Sequence, residues 1–366
     1  MRLGGFGLIS ARKVGTASYI GSLAKSLPLV KALLPNDFYV SQYLTNVERA
    51  KSDAVDSLAS QYSGCISIDD INEVINGPQA SDPQKALTSL IHAANLKRCL
   101  SAPGHNVEKS YLIAGQQPFA AELLRTIPYD SDLKCSDNQF STIVRLKLGK
   151  SFAGLDPTCR SCNAVFDGSV DHAFNCKFGG DNNKRHNAIR DVILAHGHGG
   201  GVAVSPEREH LLGAADGRKP ADVFVHNFLE GKDACFDVTV TNVATFKQAF
   251  KAYGRGENLG KIARNGYDTK IRKSKGPCEQ AGYLFYPIAF ESTGGIVSES
   301  INTLKTFCNR VCSGTTTDPK TSFKTLMKRI STVLQKNNAK MIIDRLSPFT
   351  HSQALDSVLN SVTTFN

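Results

Sequence analysis

Apolar positions recur at helical spacing through the first 150 residues. Residues 16–34 form one such stretch, and Pro28 inside it predicts a kink or a break. A cleaner helix begins at Ser67, whose hydroxyl group can cap it, and ends at Gly77. We find no phosphate-binding loop, paired catalytic carboxylates or nucleophile motif here, so residues 1–150 are predicted to be a helical region.

The pattern of apolar positions changes after residue 150. A short stretch rich in cysteine and turn residues covers 151–180. Further along, β-branched runs that are typical of strands alternate with helical spacing. The elements predicted there are a helix at 184–196, strands at 202–204, 219–225 and 234–240, a helix at 243–272 and a strand at 283–290. This α-β-β-β-α-β core, assigned to residues 181–296, is followed by a helical region at 297–366, which makes the chain a mixed α+β protein.

Two of the predicted strands each place a carboxylate in an apolar setting. Asp222 lies in PADVFV and Asp237 in CFDVTV. Burying an acid is costly without a partner, so two acids on neighbouring strands are most simply explained by a shared cation. Mg²⁺ prefers such hard oxygen ligands and supports phosphodiester hydrolysis, and Glu207 or Glu209 could add a third carboxylate. The alternative is that both aspartates cap strand ends by accepting hydrogen bonds from backbone amides.

A nuclease site of this kind also needs a cation near the phosphate. In the common pattern PD…(D/E)xK, a lysine stands two residues after the second acid, where this chain has Thr239. The lysine would then come from the following helix. Lys247, Lys251 and Lys261 are the candidates.

The cysteine-rich stretch contains a spacing that is typical of zinc ligands. Cys159 and Cys162 form a CxxC turn, and His172 and Cys176 follow as HxxxC. Four protein ligands leave no open position on a tetrahedral zinc ion, so the predicted role is structural. The alternative is four unrelated soft residues in a loop. Ten cysteines without a secretory signal indicate an intracellular protein with reduced thiols, and no apolar run predicts a membrane span.

Charge favours an acidic partner. The chain has 43 Lys and Arg against 33 Asp and Glu, a net charge of +10. Such a balance is typical of nucleic-acid binding, although a basic protein without that partner fits it too. Nine basic residues crowd into 247–275, opposed only by Glu257 and Asp268, and they include Lys247, Lys251, Lys261 and Arg264. We interpret this run as a phosphate-binding surface, and a solvated helix face is the alternative.

Several of these motifs together resemble the C-terminal part of non-LTR retrotransposon proteins that carry a restriction-enzyme-like endonuclease. The resemblance extends from the CxxC…HxxxC spacing through Arg185-His186-Asn187, Arg218-Lys-Pro-Ala-Asp222 and Phe236-Asp237, and covers residues 150–295. Here Pro220-Ala221-Asp222 replaces the usual PD dipeptide. A short N-terminal segment, residues 3–8, is similar to the sequence after the polymerase core of such proteins.

The resemblance implies a CCHC zinc knuckle at 151–180 and a nuclease domain of the PD-(D/E)xK fold at 181–296. It makes Asp222 and Asp237 the acids that hold catalytic Mg²⁺, and Lys261 the best match to the displaced lysine. Arg185 and His186 fall where a nucleic-acid contact is expected.

We therefore expect a nuclear endonuclease that nicks target DNA and binds DNA or RNA. Since no (F/Y)xDD motif is present, we expect a fragment or host-borne remnant of a longer protein, with a reverse transcriptase encoded upstream as a partner. The alternatives are a catalytically decayed nucleic-acid-binding protein and an inactive transposon relic.

Overall fold

The computed structural model describes residues 11–34, 38–77, 82–101, 106–149, 152, 158–165, 170–206, 209–213, 219–243 and 260–345. Contacts between residues divide the chain into two compact units, 3–103 and 104–366. The boundary predicted at residue 150 therefore falls inside the second unit. None of the described helices is long and apolar enough to cross a lipid bilayer.

The first unit consists of four helices in its described part. They are α1 (Ala11–Leu33), α2 (Phe38–Gln61), α3 (Ile68–Asn76) and α4 (Pro83–Ser101). Apolar side chains at helical spacing form its core, among them Ile20, Leu58, Ile71 and Leu87. Helix α1 continues through Pro28 without the break that was one of the two predicted outcomes.

The predicted start of α3 is confirmed. The Ser67 hydroxyl accepts a hydrogen bond from the Asp70 amide at 3.1 Å, and the Asp70 carboxylate accepts one from the Ser67 amide at 2.8 Å. This reciprocal capping box satisfies two amides that would otherwise lack partners.

The second unit is mixed α+β. Its described elements are α5 (Asn106–Ala114), α6 (Glu122–Arg125), α7 (Asp137–Lys147), α8 (Asp171–Asn175), α9 (Asp181–Gly199), β1 (Val204–Pro206), β2 (Val223–Leu229), β3 (Lys232–Thr241), α10 (Lys261–Gln280), β4 (Leu284–Glu291), α11 (Ser298–Cys312) and α12 (Pro319–Ile343). From α9 to β4, the order of helices and strands among the described residues is the one that the sequence predicts.

The four strands form one open sheet in the order β1-β2-β3-β4. The first three strands pair antiparallel, and β3 and β4 pair parallel. Strands β2 and β3 are joined by the two-residue turn Glu230-Gly231, and both turn residues have left-handed backbone angles, with φ of 50° and 78°. Such a turn fixes the pairing next to it, here Leu229 opposite Lys232, and an irregularity in β2 between Val225 and Leu229 then sets Val223 opposite Phe236.

The two faces of β3 pack against different helices because its side chains alternate. Phe236 and Val238 join the largest apolar cluster, to which α9, α11 and α12 also contribute. Cys235 points to the opposite face and packs with Cys278 of α10. Burying a side chain such as Phe236 stabilises the fold by roughly 1.5–3 kcal/mol.

The C-terminal helices α11 and α12 pack against the sheet of the second unit. Phe307 of α11 and Leu334 of α12 lie in the same cluster as Phe236. Helix α12 also packs against α7, where Ile143 and Ala339 share a cluster. These contacts explain why the second unit extends upstream of residue 150 and downstream of residue 296.

Candidate functional site

The cysteine and histidine side chains of the CxxC…HxxxC motif lie together. Their four ligand atoms are all within 4.8 Å of one another. Cys162 Sγ lies 3.3 Å from His172 Nε2 and 3.9 Å from Cys176 Sγ. Two sulfur atoms bound tetrahedrally at about 2.3 Å from zinc would be roughly 3.8 Å apart. The donor set and its spacing therefore fit one metal ion such as zinc.

Local backbone turns present these four ligands. The Asn163 amide donates to Cys159 O at 2.7 Å, and Asn163 adopts a left-handed φ of 58°. Thr158 and Val165 pair across this tight turn. His172 lies on α8, and Cys176 directly follows that helix, so both reach the same point.

The two acidic residues of the strands lie side by side. Asp222 directly precedes β2 and its amide donates to Phe236 O at 2.9 Å, which sets Asp222 beside Asp237 on β3. The two carboxyl groups are within hydrogen-bonding reach of each other. Asp237 is 6% exposed, and it shares the α10 face of the sheet with Cys235. This arrangement places two oxygen ligands where one hard cation could bind both.

The amine that reaches this pair comes from α10. Lys270 Nζ lies 2.8 Å from Asp237 Oδ1. One turn earlier, Gly266 allows the helix to approach the strand, since a Cβ atom there would lie 2.6 Å from Thr241 Oγ1. The expectation of a lysine from the following helix thus has a structural counterpart, but the residue is Lys270.

A histidine completes the group. His186 Nε2 of α9 lies 2.9 Å from Asp222 Oδ1. The other oxygen of Asp222 accepts from the Val238 amide at 2.6 Å. Asp222 therefore does accept a backbone amide, as the capping alternative proposed, and it does so while facing Asp237. His186 thus lies beside the acids, in addition to any nucleic-acid contact that the resemblance implies.

The two carboxyl groups have opposite pKa shifts. Burial raises the pKa of Asp237 to about 7, the charge of Asp222 adds to this shift, and Lys270 opposes it. Burial also raises the pKa of Asp222, but the hydrogen bond and charge of His186 and the Val238 amide outweigh it, so this pKa lies below its ordinary value. Without a divalent cation the pair therefore retains a proton at Asp237 up to near-neutral pH.

A pocket of about 350 Å³ opens beside the pair. The two side chains that contact the carboxylates, His186 and Lys270, line it. The other lining residues come from α8, the first turns of α9 and the end of β3: Phe174, Asn175, Asn182, Asn183, Arg185, Val238, Thr239, Val240 and Asn242. Hydrogen-bond donors and cations dominate this wall, which suits an anion.

The cysteine and histidine cluster borders this pocket through α8. Asp171, next to the ligand His172, accepts a hydrogen bond from Asn242 at the end of β3 at 3.1 Å. Arg345 is fully buried, pairs with Asp181 of α9 at 2.8 Å and also contacts Cys176. The cluster is thus connected to β3, which carries Asp237, and to α9, which carries His186.

The other predicted site residues have different surroundings. Glu207, Lys247 and Lys251 lie outside the described residues. Lys261 is exposed at the start of α10, nine residues before Lys270, which corresponds to roughly 13 Å along a helix. Arg264 binds the Glu299 carboxylate through both terminal nitrogens, at 2.5 and 2.7 Å. Glu209 is exposed and pairs with Lys219 at 3.1 Å.

Arg185 is buried rather than displayed on a surface, with 4% of the residue exposed. Its terminal nitrogens donate to Asn338 Oδ1 at 2.9 Å and Asn182 Oδ1 at 3.0 Å. It lies over the Phe174 ring at 5.6 Å. A nucleic-acid contact at Arg185 is therefore open only to a group that enters the pocket.

Sequence reasoning missed Lys270 as the partner of Asp237. A signal was present: Lys270 interrupts a stripe of small residues at helical spacing, Ala263, Gly266, Ser274 and Cys278, in which Ala263, Ser274 and Cys278 are buried in the structure. Small residues let a helix approach a sheet closely, so a long amine in that stripe must reach into the contact.

Comparisons of the chain with protein-family models, with curated proteins and with solved structures find no match.

Proposed function

We propose that this protein is a metal-dependent DNA endonuclease that hydrolyses a phosphodiester bond at the Asp222–Asp237 pair. The observation that carries the proposal is that the buried Asp237 and the partly buried Asp222 lie side by side, with Lys270 on the first and His186 on the second. Two acids and a lysine beside a cationic pocket are the groups that such hydrolysis uses.

Asp222 and Asp237 would hold Mg²⁺, which when bound would neutralise charge on the phosphate and lower the pKa of an attacking water. Lys270 is placed to shift from Asp237 to a phosphate oxygen once a cation takes the carboxylate. His186 is placed to orient Asp222 and to accept or donate a proton at the edge of the pocket. The cysteine and histidine cluster, loaded with zinc, would stabilise the wall that α8 forms.

DNA as the substrate, a nuclear location and a reverse transcriptase as partner come from the resemblance to non-LTR retrotransposon proteins, and they are parts of this proposal. The basic residues of 247–275 support a nucleic-acid substrate by charge. Within the described part, Arg272, Lys273 and Lys275 of α10 are exposed, and none of them pairs with a site carboxylate.

The second candidate is a nucleic-acid-binding protein that has lost catalysis. One observation favours it: His186 and Lys270 already compensate both acids without a metal ion. A nicking assay on supercoiled DNA with Mg²⁺ separates the two candidates. Asp237→Ala should abolish nicking, and Asp233→Ala on the same strand should not. Equal nicking by the native chain and Asp237→Ala would remove the catalytic assignment.

A further inference from the structure

Arg185 is a buried positive charge without a counterion. Among the described residues, no carboxylate oxygen lies within 4 Å of its guanidinium group; its partners are the neutral amides of Asn338 and Asn182. A buried charge is costly unless it is paired. Burial lowers the pKa of Arg185 to about 10, yet the group remains charged at neutral pH. An unsatisfied cation in the interior indicates that a negative group completes this site.

The donors around Arg185 are also incompletely used. Arg185 Nε and the buried hydroxyl group of Tyr111 have no hydrogen-bond partner among the described residues. Tyr111 is a close neighbour of Arg185, and burial raises the pKa of its hydroxyl group, so that group stays a neutral donor. The nearby acid Asp181 is committed to Lys184 and Arg345, at 2.9 and 2.8 Å. Buried donors normally have hydrogen-bond partners, so two unsatisfied donors in one place indicate a site that an acceptor-rich ligand could complete.

The first turn of α9 adds further donors. Its N-cap residue is Gly180, which offers no side-chain acceptor to the first amides of this 19-residue helix. The beginning of a helix carries partial positive charge and free amides, and both favour an anion. Asn182 and Asn183 of this turn, Arg185 and Lys270 all line the same pocket. Among the residues lining it there is no acid.

We propose that this pocket binds a phosphate group, held by the Arg185 guanidinium and the first turn of α9, beside the Asp222–Asp237 pair. Its identification as a backbone phosphate of the DNA strand being cut rests on the proposed function, whereas anion binding does not. The phosphate would sit next to the bond that is hydrolysed and would fix the register of the strand. An arginine fork is well suited to this role because it binds two phosphate oxygens at once.

Inorganic phosphate is the first probe, compared with chloride at equal ionic strength in the full-length protein. We expect phosphate to slow hydrogen exchange of the α9 first turn and to raise the unfolding temperature, by the usual linkage between binding and stability. If phosphate changes neither measurement in the wild-type chain, the proposal is overturned, and no variant is needed to show it.

Arg185→Met tests the assigned side chain, since Met fills the space without the charge. We expect it to lose the phosphate response, with at least a tenfold weaker phosphate affinity, and to have a lower unfolding temperature than wild type in chloride because Asn338 Oδ1 loses its donor. Arg190→Met is the matched control on the same helix, because Arg190 is already paired with Asp191 at 2.7 Å. Should Arg185→Met fail to fold, Arg185→Lys keeps the charge and removes the fork. An undiminished phosphate response in the variant that folds would contradict the assignment.

Oligonucleotides distinguish the sources of the phosphate. If the pocket binds a backbone phosphodiester, strands with and without a 5′ phosphate should compete equally with inorganic phosphate. If it binds a terminal phosphate, the strand with the 5′ phosphate should compete more strongly. Competition by neither strand would overturn the DNA assignment even if inorganic phosphate binds. These measurements need no nicking, so a failed nicking assay would refute the proposed function and leave the phosphate site standing.

Discussion

Replacing Asp237 with Asn should make the metal-free protein more stable, and increasingly so as pH rises. Asp237 is buried, and its pKa in the folded chain is about 7, against roughly 3.9 in an unfolded chain. Because the folded pKa is raised, the contribution of Asp237 to stability is complete below pH 4 and is lost as pH rises through 7. The amide side chain of the Asp237→Asn variant has no proton to release in this range, so that variant should lack this loss.

The size of the effect follows from the shift. Three pKa units at about 1.4 kcal/mol each give a loss of about 4 kcal/mol between pH 4 and pH 8 for a folded pKa of about 7. Between pH 5 and pH 8, the difference in unfolding free energy between the variant and wild type should grow by about 2–3 kcal/mol. The favourable charge of Lys270 is already contained in the folded pKa of about 7, so it adds no separate pH-dependent contribution to this difference.

Urea unfolding without added divalent ions measures this difference. The chain has no tryptophan, so a Tyr286→Trp background provides one fluorescence probe on β4, beside Phe236. Asp233→Asn, on the same strand, is the control and should follow the wild-type slope. Mg²⁺ should then stabilise wild type, by about 2.7 kcal/mol at a hundredfold excess over its dissociation constant, and leave the Asp237→Asn variant unchanged. Parallel pH curves for the variant and wild type would refute the reasoning.

Three further outcomes are expected. Lys270→Met should reduce nicking by about 10²–10³-fold because it removes a cation at the site. Lys261→Met should change nicking less than about threefold. Equal losses in the same nicking assay would contradict the assignment of Lys270 to the site. Gly266→Ala should lower the unfolding free energy by about 1–3 kcal/mol, since its Cβ would meet Thr241 Oγ1 at 2.6 Å. Gly276→Ala on the same helix, with nothing within 4 Å, should be neutral or stabilising by up to about 1 kcal/mol in urea unfolding. Elemental analysis should find one zinc ion per chain, and replacing any of the four cluster ligands with serine should remove it and lower the unfolding temperature, whereas a variant that keeps its zinc would argue against the cluster as its site.

The order of elements from α9 to β4 could be predicted because it depends on local patterns. β-branched runs indicated the strands, and the spacing of Ile189 and Ile193 indicated α9. The cysteine and histidine cluster was also local, since all four ligands lie within 18 residues. The proximity of Asp222 and Asp237 followed from two neighbouring strands joined by a short turn.

Other features depended on tertiary packing that local patterns do not encode. Lys270 reaches Asp237 because Gly266 lets α10 approach β3, and that approach is a property of the packed helix. The burial of Arg185 depends on Asn338, 153 residues later in the chain. The boundary at residue 103 rather than 150 reflects packing of α7 against α12, which the sequence separates by almost two hundred residues.

The pairing of β3 beside the acids depends on the length of the Glu230-Gly231 turn together with the irregularity in β2 between Val225 and Leu229. Exposed turns are generally the places where chains accept insertions. Here, one added residue that shifted the pairing of β3 would invert its side chains, turning Asp237 toward the apolar cluster and Phe236 toward Lys270. Natural selection that preserves the reaction at Asp222 and Asp237 would therefore also constrain the length of the β2–β3 turn, about six residues away. Homologues that keep both acids and change the length of this turn should therefore carry a compensating bulge in β2 or β3.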